Sequence, residues 1–520
     1  NLFCFQYIVL VIQFNMLFLI FILSAGSFVE ADPRINCTTC NFTRTPLDDY
    51  VYANDDSWDI NVLSSEPGAL SRVDILNFTS LSWKTDFSNF TSWWHYLVVV
   101  TPSEHSYLNK GLLFLGGGSR NEELADVTSD PDYDLVVTFA ELTGSTCGYL
   151  KGLPNQPVEF LNEDPRVARG DDASIAYTWR RYLVEENAAN PDTLMQFPMV
   201  KAAIRGLDAM TFHAQRVDPR TLLDEFVIVG SGIRGWVAWL AAAMDTRITG
   251  VVPLTATIPN FQQGMKQQYR SFGGWSYALR DYFELDITRQ LDTPNMATLE
   301  SLIDPMRYNS RYANVSKMVV AAASDEFYAV DVSSTFYNQL QGGKLFWMVD
   351  NTDHALNNRQ VETAAQIEAF YDSVLQNHPI ADYRYEFVEN VTTGSGEIRL
   401  FTDTQPTLIR GFYADTEAPH YRRDFRWAYY DDERGNYTER SIFFEWVQDN
   451  NVDVETDDSG NQYYSLEYNI PANGWRAFYI EAAFTTPSLS TIYKSTEVYV
   501  IPETYPFPQC SGQNCYGRIV

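Results

Sequence analysis

Two rhythms of hydrophobic and polar positions divide the chain. In roughly its first two thirds, short apolar runs alternate with longer stretches whose apolar residues recur three and four apart. The runs "WWHYLVVVTP" (Trp93–Pro102), "GLLFLGGGS" (Gly111–Ser119), "YDLVVTFAELTG" (Tyr133–Gly144), "EFVIVG" (Glu225–Gly230), "ITGVVPLTA" (Ile248–Ala256), "KMVVAAAS" (Lys317–Ser324) and "KLFWMVD" (Lys344–Asp350) read as strands. The segments Asp172–Glu186, Pro198–Gln215 and Arg359–Leu375 carry helical spacing. Strands alternating with helices predict an α/β fold with a doubly wound, mostly parallel sheet. Ile258–Ile303 is helical in pattern and lies between two strand signals, which predicts a cap over the carboxyl ends of the strands. After about Asn377 the period becomes two. "GEIRLFTD", "RRDFRWAYYDD", "RSIFFEWVQD", "QYYSLEYNIP", "GWRAFYIEAAFTT" and "TEVYVIPE" are separated by turns such as "DDERGN" and "TDDSGN", the pattern of an antiparallel β-sandwich. The expected organisation is a leader over residues 1–31, an α/β domain over 32–380 with its cap near 258–303, a sandwich over 381–508 and a cysteine-containing tail over 509–520.

One junction in the first part carries a recognisable chemistry. "FVIVGSGIRGWVAWLAAAMD" (Phe226–Asp245) is a buried strand, a glycine-rich turn and an apolar helix. That is the layout of a nucleophile elbow, the tight turn that lifts a catalytic serine above an α/β sheet. The position of the nucleophile is occupied by Gly232. Ser231 stands one residue earlier, where consecutive side chains face opposite ways, so its hydroxyl is expected to bond backbone in the turn. Other parts of an α/β-hydrolase site fall in the required chain order. Asp325 follows the strand "KMVVAAAS", where the acid belongs, and His354 follows "KLFWMVD", where the base belongs. Gly116, Gly117 and Gly118 follow an early strand, where oxyanion-hole glycines occur. Arg234 is expected to pair with a carboxylate at a helix start.

Composition sets the compartment. A chain of 520 residues exceeds one ordinary core, so two folded domains are expected. A formal net charge of −30 argues against nucleic acid and anionic membrane surfaces as partners. The first stretch is strongly apolar up to Leu23 and has no Lys or Arg before Arg34. It reads as a signal peptide, with Met16 as a candidate start; a membrane anchor over Leu2–Leu23 is the alternative. Seven Asn-x-Ser/Thr sequons, at Asn36, Asn41, Asn77, Asn89, Asn314, Asn390 and Asn436, point to a glycosylated exterior. Cys37 and Cys40, and Cys510 and Cys515, are pairs by position; spacing leaves open whether they bridge within or between the pairs. Cys147 stands alone. The acidic turns "SDPDYD" and "TDDSGN" lack EF-hand spacing and read as solvated turns. No metal and no cofactor is expected.

The blocks "TSWWHYLVVVTP", "LLFLGGGS", "GLPNQP", "IAYTW", "PMVKAAIRGLDAM", "IDPMRYNSRY", "SDEFYAVDVSSTFYNQL", "NTDHAL" and "STEVYVIPETYPFP" occur in order over roughly residues 45–510. Together they resemble the PhoPQ-activated pathogenicity-related proteins. The resemblance implies an α/β-hydrolase-like fold, with Asp325 and His354 at the family's acid and base positions. It also implies an elbow reading G-A-S-K-R-G-W. This chain reads Gly230-Ser231-Gly232-Ile233-Arg234-Gly235-Trp236, so the arginine, glycine and tryptophan carry over while the serine and lysine do not. The expectation is a secreted glycoprotein with a hydrolase-like domain that binds, signals or serves at a surface without catalysis. Its partner would be an extracellular protein or carbohydrate. The alternatives are an active extracellular serine hydrolase or peptidase using Ser231 with Asp325 and His354, and a coat protein whose aromatic sandwich mediates assembly.

Overall fold

The computed structural model describes residues 43–83, 86–378, 383–390, 392–416, 422–429, 440–441, 445–457 and 459–520. The expected leader, Cys37, Cys40 and the sequons Asn36, Asn41 and Asn436 lie outside the described residues. Among those described, no helix is long and apolar enough to cross a membrane.

The strands β1 (Asp59–Pro67), β2 (Ser71–Ser82), β3 (Ser92–Pro102), β4 (Lys110–Leu115), β5 (Thr146–Lys151), β6 (Glu225–Ser231), β7 (Ile248–Leu254), β8 (Ser316–Ala322) and β9 (Lys344–Val349) form one sheet. Their order is β1-β2-β3-β5-β4-β6-β7-β8-β9. The β1–β2, β2–β3 and β3–β5 pairs are antiparallel. Every pair from β5 to β9 is parallel. The helices α1 (Pro131–Thr143), α2 (Asp171–Arg180), α3 (Gln196–Val217), α4 (Ile233–Met244), α5 (Phe261–Phe272), α6 (Pro294–Ile303) and α7 (Gln360–Leu375) cover both faces or build the cap. Strand alternation sorts the core. Phe226 and Ile228 of β6 belong to the cluster holding α3 and α4. Val227 and Val229 belong to the opposite cluster, with α1, α7 and the inner residues of the C-terminal sheets. This is the expected α/β-hydrolase-like, doubly wound sheet.

The expected strand over Tyr133–Gly144 is instead helix α1. Asp130 caps it through Asp132 N–H, Pro131 occupies its first turn and Gly144 ends it in the left-handed region. Val136, Phe139, Ala140 and Thr143 are its buried residues, a spacing of three and four that a run of apolar letters conceals. The strand follows immediately, as β5. The acidic turn "SDPDYD" therefore serves as a helix start.

The C-terminal region holds two antiparallel sheets packed face to face, as expected of a sandwich. One is β10 (Tyr383–Asn390), β11 (Ser395–Thr402), β15 (Gln462–Asn469) and β14 (Asp453–Thr456) in that order. The other is β13 (Val447–Asp449), β12 (Leu408–Asp415), β16 (Arg476–Thr485) and β17 (Thr491–Ser495), with β18 (Tyr499–Ile501) also on β16. A side chain at Gly396 would meet Ile501 Cγ2 at 2.6 Å, which shows how closely the layers approach. The stretch "RRDFRWAYYDD" does not begin as a strand: residues 422–427 are irregular, and among its described residues only Ala428–Tyr429 pair as a strand. Instead, Arg423 pairs with Asp331 at 2.7 Å and Arg426 donates to Ser276 Oγ at 2.9 Å, fastening this region beneath the cap. Trp347 of β9 donates to Glu481 at 3.1 Å, joining sheet edge to sandwich. The tail returns to the cap as well. Trp275 N–H donates to Arg518 O at 2.8 Å, and Val520 N–H to Trp275 O at 2.8 Å. A disulfide links Cys510 and Cys515 within that tail.

Candidate functional site

The elbow is built as its sequence layout requires. Strand β6 ends at Ser231 and helix α4 starts at Ile233, leaving Gly232 at the apex with φ 55° and ψ −122°. A side chain there is strained whatever the space, and glycine is not. The Gly232 N–H donates to Leu254 O at 2.9 Å, and its carbonyl accepts from Trp236 N–H at 3.0 Å. Gly235 lets the helix start lie directly on the sheet edge, since a Cβ there would meet Ala256 Cβ at 2.6 Å. Ser231 Oγ sits 3.4 Å from Thr255 Oγ1. Arg234 donates to Leu153 O at 2.5 Å and pairs with Asp171 at the start of α2.

Two loops bring the other members to this apex. Asp325 follows β8 and His354 follows β9, and His354 Nδ1 lies 3.0 Å from both oxygens of Asp325. Asp325 Oδ1 also accepts from Phe327 N–H at 2.7 Å and from Tyr328 N–H at 3.3 Å. His354 N–H donates to Glu326 Oε2 at 3.1 Å, and its ring lies 4.3 Å, centroid to centroid, from Phe327. The other ring nitrogen faces the elbow: a Cβ at Gly232 would lie 3.1 Å from His354 Nε2. Burial alone would depress the His354 pKa; the carboxylates of Asp325, Glu326 and Asp172 outweigh it and hold the value above the ordinary one. Burial and the Asp325 charge raise Glu326.

The glycine run reaches the same region with its groups unequally committed. Gly116 N–H donates to Leu150 O at 2.9 Å and its carbonyl accepts from Leu153 N–H at 3.0 Å. Gly117 accepts from Gly152 N–H at 2.9 Å. A Cβ on Gly117 would lie 2.9 Å from Arg234 Nη2, and one on Gly118 (φ 128°) 2.9 Å from Glu122. Among the described residues, Gly117 and Gly118 N–H make no backbone hydrogen bond in this turn.

Above the apex lies a pocket between the sheet edge and the cap. Gly232 and His354 line its floor together with Phe327 and Tyr328, while Met265 and Leu279 come from the cap. Its side wall holds Trp179, Trp236, Phe261 and Tyr282, whose rings meet at 5.4–5.9 Å. Asp172 also lines it, accepting from Tyr282 Oη–H at 2.8 Å. Burial raises the Asp172 pKa. Sequence reasoning passed over Asp172, Tyr282 and Glu326. Only Glu326 had a local signal, its place directly after Asp325; Asp172 and Tyr282 are separated by more than a hundred positions and meet only through the cap.

The remaining predicted residues lie elsewhere. Asn89, Asn314 and Asn390 are exposed, and Asn77 is half-buried within β2. Cys147 is a buried free thiol whose pKa burial pushes up to about 12. Among the described residues, no group of three or more His, Cys, Asp or Glu side chains could hold a metal ion. The assembled site can move a proton through His354 but presents no covalent nucleophile at the apex.

Among solved structures, an acetyl xylan esterase from Paenibacillus sp. R4 is 12% identical, covering 62% of this chain and 92% of its own, with a TM-score of 0.41. Acetyl xylan esterase 1 from Thermoanaerobacterium sp. is 14% identical, covering 64% and 95%, with a TM-score of 0.40. A curated relative, autocrine proliferation repressor protein A of Dictyostelium discoideum, is 30% identical over 483 residues, 91% of this chain and 94% of that protein. Residues 47–426 match the family described as PhoPQ-activated pathogenicity-related protein. The chain belongs to the PhoPQ-activated pathogenicity-related protein family.

Proposed function

We propose that this chain is an extracellular glycoprotein that uses its hydrolase-like pocket to bind a ligand and performs no acyl transfer. One observation carries the reading: the apex residue is Gly232, and His354 Nε2 lies only 3.1 Å from where its Cβ would be, so the imidazole stands against the vacated side-chain position. Covalent hydrolysis needs a hydroxyl hydrogen-bonded to that nitrogen. Ser231 is instead within hydrogen-bond distance of Thr255. The apolar leader, the exposed sequons Asn89, Asn314 and Asn390, and the Cys510–Cys515 bridge support an extracellular setting. The name of the Dictyostelium relative describes an autocrine repressor of proliferation, in keeping with a signalling role.

Treatment of the purified full chain with a fluorophosphonate probe tests the reading. No covalent adduct is expected. An adduct on Ser231 that is lost in Ser231→Ala would replace this reading with that of a hydrolase whose nucleophile has moved by one residue.

A further inference from the structure

Asp172 stands half-buried in the pocket wall. Its Oδ1 accepts the Tyr282 hydroxyl at 2.8 Å. Among the described residues, no Lys or Arg comes within ion-pair distance of it; the nearby Arg234 is committed to Asp171 and to Leu153 O. The nearest positive group is the His354 imidazole across the floor, whose charge favours the ionised form of Asp172. That imidazole is shared: its Nδ1 faces Asp325 at 3.0 Å, and Glu326 accepts its backbone N–H. Apart from Thr257 and Gln268, the rest of the lining is mostly aromatic and aliphatic. Trp179 is the hub of the wall, with ring contacts to Trp236, Phe261 and Tyr282 at 5.6, 5.5 and 5.4 Å. A half-buried carboxylate beside aromatic faces, with no Lys or Arg paired to it, is the chemistry that recognises an ammonium group. An anionic or strongly polar neutral ligand would leave Asp172 uncompensated.

We propose that the pocket takes a small organic cation, its ammonium group seated on Asp172 and its apolar body against Trp179, Phe261, Tyr282 and Phe327. This rests on reading the site as a binding pocket. Met265 and Leu279, contributed by the cap, add aliphatic surface to the lining. Burial raises the Asp172 carboxyl, and a bound cation removes that penalty, so binding and ionisation of Asp172 reinforce each other. Cation–π attraction in the aromatic wall, together with the charge-assisted contact, amounts to about tenfold or more in affinity over a neutral ligand of the same shape.

Calorimetry on the full chain with four probes tests this: 2-phenylethylammonium, 2-phenylethanol, 3-phenylpropanoate and methylammonium. The aromatic cation should bind at least about tenfold tighter than the alcohol, and the carboxylate should not bind measurably. Methylammonium carries the charge without the ring and reports on the acidic surface; it should be weaker than the aromatic cation by at least about tenfold. Asp172→Asn should bring the cation within about twofold of the alcohol while alcohol binding changes less than about twofold. Tyr282→Phe, which keeps the carboxylate, should retain the preference. Equal binding of cation and alcohol by the wild type overturns the proposal, and that comparison decides it even if Asp172→Asn fails to fold. Persistence of the preference in a folded Asp172→Asn chain overturns it too. Fluorophosphonate labelling on the same sample separates the two readings. An adduct on Ser231 with the cation preference intact removes the non-catalytic reading alone, whereas no adduct and no preference removes this one alone.

Discussion

Gly232→Ser puts a hydroxyl at the vacant apex, and the structure sets both its cost and its effect. The backbone there, at φ 55° and ψ −122°, lies outside the regions open to ordinary L-residues. Holding a serine in such a conformation costs about 1–3 kcal/mol. The new Cβ would lie 3.1 Å from His354 Nε2, closer than most real Cβ contacts, so the imidazole must retreat by a few tenths of an ångström. That retreat is resisted by the pair of 3.0 Å contacts to Asp325. Gly232→Ala carries the same backbone strain and the same Cβ contact without the hydroxyl. Both variants should therefore lose about 1–3 kcal/mol in denaturant unfolding. Only the serine variant should gain a covalent fluorophosphonate adduct, read by intact mass, and that adduct should vanish when His354→Gln is added. A folded Gly232→Ser chain that stays unreactive, or a Gly232→Ala chain as stable as the wild type, would refute the geometry argued here.

Three further outcomes follow from the structure. His354 binds its proton more tightly folded than unfolded, so its pairing with Asp325 contributes fully below the unfolded value of about 6.5 and is lost as pH rises through the raised folded value; the stability advantage of wild type over His354→Gln should shrink in urea titrations as pH is raised above about 6.5. Replacing Cys510 and Cys515 by serine opens a loop with a sequence separation of 5 and should cost about 2 kcal/mol by the chain-entropy model, with faster amide exchange at Trp275 and Val520, whose N–H groups join tail to cap. In protein secreted from eukaryotic cells, glycopeptide mass spectrometry should find glycans on the exposed Asn314 and Asn390 and none on Asn77, which lies half-buried in β2 opposite Tyr96.

The parallel sheet was legible because its strands are apolar on both faces, so runs such as Glu225–Gly230 and Lys344–Asp350 stand out without any knowledge of their neighbours. The same property misleads at Tyr133–Gly144. There the apolar density of a helix pressed on the sheet imitates a strand, and only the cap at Asp130 with Pro131 behind it marks the helix start. The elbow, the acid and the base were readable because each lies beside a strand end and the order of strands fixes which ends meet. The pocket wall was not. Asp172 opens a helix, Tyr282 lies in the cap, and their 2.8 Å contact depends on how the cap folds over the sheet, which no local period encodes. The return of the tail to Trp275 is hidden for the same reason.

On the non-catalytic reading proposed above, the site has no use for an acid and a base as catalysts, and the hydrogen bonds around Asp325 explain why these two stand together. Asp325 does not serve His354 alone; the same oxygen accepts the N–H groups of Phe327 and Tyr328. His354 in turn fixes its own loop through its backbone N–H to Glu326. The pair therefore ties the loop after β8 to the loop after β9, and those loops carry Phe327, Tyr328 and His354 itself, the floor of the pocket. Breaking the pair would leave Asp325 buried without its imidazole, a cost of about 1–3 kcal/mol for an unpaired polar group and more for a charged one. In such an arrangement the acid and base persist for the shape they maintain. Glycine at the apex removes backbone strain and leaves that shape in place. On the binding role proposed above, glycine at the apex and the Asp325–His354 pair both serve one end, the shape of the pocket.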